Sequence, residues 1–159
     1  MVQKDYLLRQ IEKMGVILAG LRQKAGGAPV QALEQLRVEA ARAGVPLDLL
    51  DVLAPDAVVP ILGSDSLEKL LPAADVLLLK GEIEERLGDA AAAAASFEKA
   101  SIVFGRLEQL IDAGGDPELW ARLEDLKERL PTAGSMVRLR DRERRRLWGD
   151  LAFRTLALL

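Results

Sequence analysis

Apolar residues recur every three or four positions along most of this chain, and glycine or proline interrupts the pattern between segments. This spacing is typical of helices that bury one face, because one turn takes about 3.6 residues. The two clearest stripes are Leu7, Ile11, Met14, Leu18 and Leu21, and Ala90, Ala93, Phe97, Ala100, Phe104, Leu107 and Ile111. No segment alternates β-branched and polar residues as a strand does. The pattern therefore predicts an all-α fold of antiparallel helical hairpins.

Glycines, prolines and capping residues indicate where the helices begin and end. The second helix is expected to start at Pro29 and stop at Gly44, with Val30, Leu33, Leu36 and Ala40 on its apolar side. The first helix is expected at 4–24, and two short helices or turns are expected within 45–63. A further helix is expected at 73–87, with Pro72 near its start. The next one follows the Asp89 cap and ends at Gly114-Gly115, and another starts at Asp116-Pro117 and stops at Pro131. Ser64 or Ser66 is expected to cap the helix that contains Glu68.

The chain of 159 residues contains neither cysteine nor histidine. Ser–His and Cys–His nucleophile pairs are therefore absent, and so are the usual zinc ligands. No phosphate-binding glycine motif is present either. We expect a protein that is not an enzyme and needs no cofactor or metal. Charged residues break the apolar character of the first 21 residues, so we expect no signal peptide and a cytoplasmic location.

The charge is unevenly distributed along the chain. Residues 135–159 carry seven arginines against three acidic residues, or +4, whereas the formal net charge is -3, which leaves -7 for the remainder. The candidate contact residues of this tail are Arg138, Arg140, Arg142, Arg144, Arg145, Arg146 and Trp148. A final helix that caps the core or self-associates, docking to a partner, nucleic-acid binding and an anionic membrane surface are all compatible with this composition. Asp141 and Glu143 interrupt the basic run and disfavour nucleic acid and membrane.

The stretch GEIEERLGDAAAAAASFEKA places small and aromatic residues at fixed offsets, namely Gly81, Gly88, Ala93, Phe97 and Ala100. It resembles a tetratricopeptide repeat (TPR), a helix–turn–helix of about 34 residues. The resemblance implies that Ala93 lets two helices approach closely and that Phe97 fills the space beside it. Helix propensity is enough to explain Ala91, Ala92, Ala94 and Ala95.

Two further resemblances extend this interpretation. A fainter copy of the repeat lies 61 residues upstream, with Gly20, Gly27, Ala32 and Leu36 at matching offsets. The segments KDYLLRQIEKMG, VPLDLLDVL and VLLLKGEIEERLGDAAAAAASFEKA also resemble a family of uncharacterised bacterial proteins, over Lys4 to Leu130. Together they imply a TPR-like helical domain, which we place at residues 1–131. Outside the resemblance, the local sequence predicts a hinge at 132–135 at the start of an appended helix or tail, 132–159.

TPR units commonly bind peptides or helices, so the resemblance implies a protein–protein interaction or scaffolding module. Lys80 and Glu84 stand where the repeat usually has Leu and Tyr, and we expect them to line an exposed groove and contact a partner. Tyr6 and Arg9 are further candidate contacts, with Tyr6 at the edge of the core. A self-assembling homo-oligomer is the alternative. The acidic clusters Glu82, Glu84, Glu85 and Glu124, Asp125, Glu128 are expected to be solvated helix faces.

Overall fold

The computed structural model describes residues 2–114 and 116–158, and the side chains of residues 5–111, 116–132, 135, 138–142 and 144–158. All regular elements in these ranges are helices, which confirms the all-α prediction. They are α1 Val2–Ala25, α2 Pro29–Arg42, α3 Leu47–Val52, a 3-10 turn Pro55–Ala57, α4 Val58–Leu62, α5 Leu67–Arg86, α6 Ala90–Gly114, α7 Pro117–Arg129 and α8 Ala133–Ala157. None of these helices has the length and apolarity needed to cross a membrane.

The first two helices pack side by side after the short link that contains Gly26 and Gly27. Gly44 has φ of 76°, which favours glycine at the stop of α2. The predicted apolar stripe of α2 is shifted, because Ala32, Leu36 and Ala40 form its buried side whereas Val30 is 54% exposed. Residues two apart on a helix lie about 200° apart, so burying Ala32 turns Val30 toward solvent.

The start of α5 differs from the prediction. The helix begins at Leu67, six residues before the expected Ala73, and Pro72 lies inside it. Ser66 is the cap, and its hydroxyl accepts a hydrogen bond from the backbone N–H of Lys69. A proline inside a helix removes one backbone hydrogen bond. Burial of Leu70 and Leu71 on the preceding turn favours the helix across this position.

The central contact of the fold is the packing of α5 against α6. Phe97 and Ala100 are fully buried at this contact, and Gly81 of α5 lies beside the Phe97 ring. A Cβ atom on Gly81 would be 2.6 Å from Cε1 of Phe97, so only glycine fits without a shift of the ring. Gly88, in the turn between the helices, has φ of 78°. Ala93 is buried as expected, but Ala94 is buried too, at 4% exposure, and therefore has a packing role that propensity alone does not describe.

The last two helices begin at capped positions. Asp116 accepts hydrogen bonds from the backbone N–H groups of Glu118 and Leu119 at the start of α7. The side chain of Thr132 accepts from the N–H of Ser135 at the start of α8. Residues 132–135, where a hinge was predicted, form the cap and the first turn of α8. The first half of α8 packs on α6 through the buried Leu139.

Candidate functional site

The charged residues expected to line a partner groove lie inside the protein instead. Lys80 and Glu84 are 5% and 6% exposed, between α5 and α6. Lys80 Nζ is 3.0 Å from Glu84 Oε2 and 2.9 Å from Asp51 Oδ1, and the Ser96 hydroxyl donates to Glu84 Oε1 at 2.5 Å. The sequence-based placement of Lys80 and Glu84 on an exposed surface is thus corrected. Burying a charged group costs free energy unless an opposite charge or hydrogen bonds compensate for the lost water. Lys80 and Glu84 compensate each other in this way.

A second lysine joins the same buried polar cluster. Lys99 Nζ donates to the backbone carbonyls of Leu50 and Asp51, at 2.8 and 3.3 Å, at the end of α3. Burial lowers the pKa of Lys99 below its usual value, and the nearby Asp51 carboxylate opposes that shift. A lysine that satisfies the last carbonyls of a helix stabilises that helix end. The cluster of Asp51, Lys80, Glu84, Ser96 and Lys99 therefore holds α3 on the α5–α6 pair.

A groove opens where α1, the end of α2 and the start of α5 meet, and its volume is about 630 Å³. The floor of this groove is apolar and consists of Leu7, Met14, Ile17 and Pro72. The rim is charged and carries both signs, with Lys13, Glu39, Arg42, Glu68 and Lys69. An apolar floor with a charged rim is the usual anatomy of a groove that binds a helix. We refer to it as the α1–α2–α5 groove.

The two candidate contacts near the N-terminus lie beside this groove. Tyr6 is 55% exposed, which places it outside the core edge predicted for it. Its hydroxyl accepts a hydrogen bond of 2.6 Å from the side-chain amide of Gln10, a groove residue. Arg9 is exposed on the same turn of α1. Tyr6 is therefore available for contact with whatever enters the groove.

The basic residues of α8 form an exposed collar. Arg138, Arg140, Arg142, Arg144, Arg145 and Arg146 are all exposed, and we call them the arginine collar. Arg140 pairs with Glu98 of α6 at 2.9 Å, while Arg142 and Arg146 lie beside Gly88 and Ala90. Successive residues of α8 thus lie beside progressively earlier residues of α6, so the two helices are antiparallel. At Arg146 the helix α8 has reached the first residue of α6.

Beyond Arg146, α8 extends past the end of its packing partner. Residues 147–158, which we call the apolar tip, include six large apolar side chains with exposures between 55% and 88%: Leu147, Trp148, Leu151, Phe153, Leu156 and Leu158. At about 1.5 Å per residue, the helical part of this tip is roughly 16 Å long. Of the alternatives that the composition left open, capping of the core is therefore wrong for the tip, because the tip extends beyond the first residue of α6. Self-association is not affected by this finding.

The predicted solvated face at Glu82–Glu85 is corrected as well, since only Glu85 of the three is exposed. Glu82 pairs with Arg22 of α1 at 2.8 Å and with Arg129 of α7 at 2.9 Å. Asp75, two turns earlier on the same face of α5, lies 3.5 Å from Arg122 and 3.4 Å from Arg129. These ion pairs join α1, α5 and α7. Glu124, Asp125 and Glu128 of α7 are exposed, as predicted.

Asp75 gives a testable dependence of stability on pH. Burial raises its pKa above the ordinary value of 3.8, and Arg129 and Arg122 only partly offset this. The native state then binds the proton more tightly than the unfolded chain, so this group's contribution to stability falls as the pH rises through the native pKa. We expect wild type to lose free energy of unfolding relative to Asp75→Asn over that window. Urea titrations of both proteins from acidic to neutral pH measure the unfolding free energy of wild type minus that of Asp75→Asn. If this difference stays constant or rises with pH, the pKa of Asp75 is not raised.

Sequence reasoning missed the groove, although Leu7 and Met14 lie on a stripe that it identified. The groove also needs Arg42 and Pro72, which are remote in sequence, and no local pattern brings them together. Among the side chains that the structure describes, no group of three or more acidic residues is arranged to hold a metal ion. No family model, curated protein or solved structure matches this chain. The candidate sites therefore rest on their own geometry.

Proposed function

We propose that this chain is a non-catalytic protein-interaction module that binds an apolar helix or peptide of another protein molecule in the α1–α2–α5 groove. The observation that carries the proposal is the apolar floor of Leu7, Met14, Ile17 and Pro72 beneath a rim of both charge signs. Apolar anchors give such a contact its affinity, and the rim charges select among partners and fix their orientation.

The arrangement of the helices supports a scaffolding role of the kind that TPR proteins perform. The α1–α2 and α5–α6 pairs pack against each other, and Arg22 of α1 meets Glu82 of α5 while Leu7 lies near the first turns of α5. The first helices of the two pairs thus run in parallel, as in a TPR array. This part of the proposal is an analogy of fold. A cytoplasmic location, which the cysteine-free sequence favours, belongs to the same proposal.

The groove can be tested with displayed peptides before any natural partner is known. The probe is a phage library of helical peptides with apolar residues at i, i+3, i+4 and i+7, selected on the full chain. Ile17→Asp places a carboxylate in the apolar floor, and Val16→Asp places the same group on the neighbouring residue, which is 75% exposed. We expect selected peptides to bind wild type and Val16→Asp equally, and Ile17→Asp about tenfold more weakly, measured by fluorescence anisotropy.

The proposal fails if no peptide family is enriched, or if the enriched peptides bind Ile17→Asp as tightly as wild type. Because Ile17 is half-buried, its replacement could also disturb α1. Gln10→Trp is the second variant, since Gln10 is exposed and a tryptophan there occupies the groove from its rim. Circular dichroism of both variants verifies that the helices are retained.

A further inference from the structure

The apolar tip of α8 has a composition that favours a covered position. With residues placed about 100° apart around the helix axis, apolar side chains point to every side except one edge. That edge carries Asp150 and Arg154, which are four residues apart. A helix with apolar side chains nearly all round is normally buried. The tip is instead exposed, and none of the described residues of this chain covers it.

The two charged residues of the tip favour a protein cover over a lipid one. Asp150 and Arg154 lie in the middle of the segment, where a bilayer interior disfavours charge strongly. A groove with a charged rim accepts the same helix without that penalty. Glu39 and Arg42 on the rim of the α1–α2–α5 groove pair with each other at 3.1 Å. The exposed rim residues Lys13 and Lys69 remain opposite in charge to Asp150, and Glu68 remains opposite in charge to Arg154.

The dimensions of the tip and the groove also agree. The groove follows α1 from Leu7 to Ile17, which at about 1.5 Å per residue is roughly 15 Å. The helical part of the tip is about 16 Å long. The tail 135–159 carries +4 and the rest of the chain -7, which favours association of the tail of one copy with the body of another. This excess positive charge lies in the arginine collar, because the tip itself carries one acidic and one basic residue.

The tip cannot enter the groove of its own chain, because the two lie at opposite ends of α5. The groove uses Glu68 and Lys69 in the first turn of α5, whereas the collar residues Arg142 and Arg146 lie beside Gly88, just after its last residue. Lys69 and Arg86 are about 26 Å apart along the helix axis. Resting on the proposed function of the groove, we infer that the apolar tip of one copy occupies the α1–α2–α5 groove of the next, so that copies join head to tail. A contact of this kind generates rings or open filaments.

Two full-length variants test this inference by complementation. Ile17→Asp blocks the groove and keeps the tip, whereas Leu151→Asp blocks the tip and keeps the groove. Multi-angle light scattering at rising micromolar concentration is expected to show wild type growing beyond a dimer, and each variant alone remaining at the chain mass of 17.3 kDa. An equimolar mixture of the two variants restores one contact only. We therefore expect a heterodimer of twice that mass and nothing larger.

Several outcomes overturn the inference. The inference is wrong if the wild-type chain is monomeric at every concentration. It is also wrong if the mixture of the two variants forms no heterodimer. If Ile17→Asp assembles like wild type, the tips pair with each other and the groove is not their receptor. Val16→Asp is the control and is expected to assemble like wild type. If Val16→Asp also fails to assemble, an acidic residue anywhere on α1 prevents assembly and the groove is not specifically involved. If Ile17→Asp loses helicity, Gln10→Trp replaces it as the blocked-groove partner in the same mixture.

The result is separable from that of the peptide selection. Peptides that bind the groove, together with a monomeric wild type, leave the proposed function standing and remove only the inference. Failure of both experiments removes both. Vesicles of phosphatidylcholine and phosphatidylserine are included as a third arm. A monomeric wild type that cofloats with them, when Leu151→Asp does not, assigns the tip to a lipid surface and overturns the inference.

Discussion

Replacing Gly81 with alanine is expected to destabilise the protein, although alanine is the better helix former. The added Cβ would lie 2.6 and 2.7 Å from Cε1 and Cδ1 of the Phe97 ring, which is fully buried and cannot swing away. Forcing an extra methyl group into a packed core costs about 1–3 kcal/mol. Helix propensity returns at most about 1 kcal/mol. We expect a net loss of about 1–2 kcal/mol in the free energy of unfolding, measured by urea titration.

Gly105→Ala is the matched control for this prediction. Gly105 lies in α6, the helix that carries Phe97, and no atom is within 4 Å of the Cβ that alanine would add. The same substitution is therefore expected to stabilise the protein by about 0.5–1 kcal/mol. Because Gly81 and Phe97 are in contact, Gly81→Ala combined with Phe97→Leu should cost less than the sum of the single changes. Equal effects of alanine at positions 81 and 105 would show that the close approach of α5 and α6 is absent.

Replacing Lys80 with methionine is expected to cost about 3–5 kcal/mol of unfolding free energy, because it removes one partner of a buried ion pair. Glu84, 6% exposed, would keep its hydrogen bond from Ser96 but lose its positive partner. Asp51 would lose the same ammonium group, which lies 2.9 Å away. The measurement is again equilibrium unfolding in urea.

The double variant Lys80→Met with Glu84→Gln separates the ion pair from the packing. Glutamine has no charge to leave unpaired, so the double variant should be more stable than Lys80→Met alone. Arg140→Met provides the surface control, since Arg140 and Glu98 have side chains that are 58% and 40% exposed. We expect that change to stay within about 0.5 kcal/mol of wild type. A Lys80→Met effect as small as the Arg140→Met effect would mean that the cluster is open to water.

The sequence predicts the positions of the helices better than it predicts which side chains are buried and which partners they contact. Stripes and caps locate α1, α2, α6 and α7 closely, because those signals are local. The predicted start of α5 was wrong because proline is most common in the first turn of a helix, and Pro72 was assigned to that turn. Ser66 carried the correct capping signal.

The errors at the candidate sites share one physical cause. Charged residues beside an apolar stripe are normally solvated, but α5 is covered on nearly all sides, so Lys80, Glu84 and Asp75 had to be buried with partners from other helices. Those partners, such as Asp51 and Arg129, lie far away in sequence. The exposure of the apolar tip likewise depends on where α8 lies along α6, and no local pattern specifies that register.

The contact made by Lys99 bears on how this protein can diverge in evolution. Lys99 binds the main-chain carbonyls of positions 50 and 51, and a carbonyl is present whichever amino acid occupies a position. Substitutions along α3 can therefore accumulate without breaking this anchor, provided that the helix still ends at the same place. An insertion or deletion in the segment shifts the carbonyls away from the ammonium group. Homologues are thus expected to vary more at the exposed positions of α3, Leu49 and Val52, than in the number of residues between α2 and the 3-10 turn.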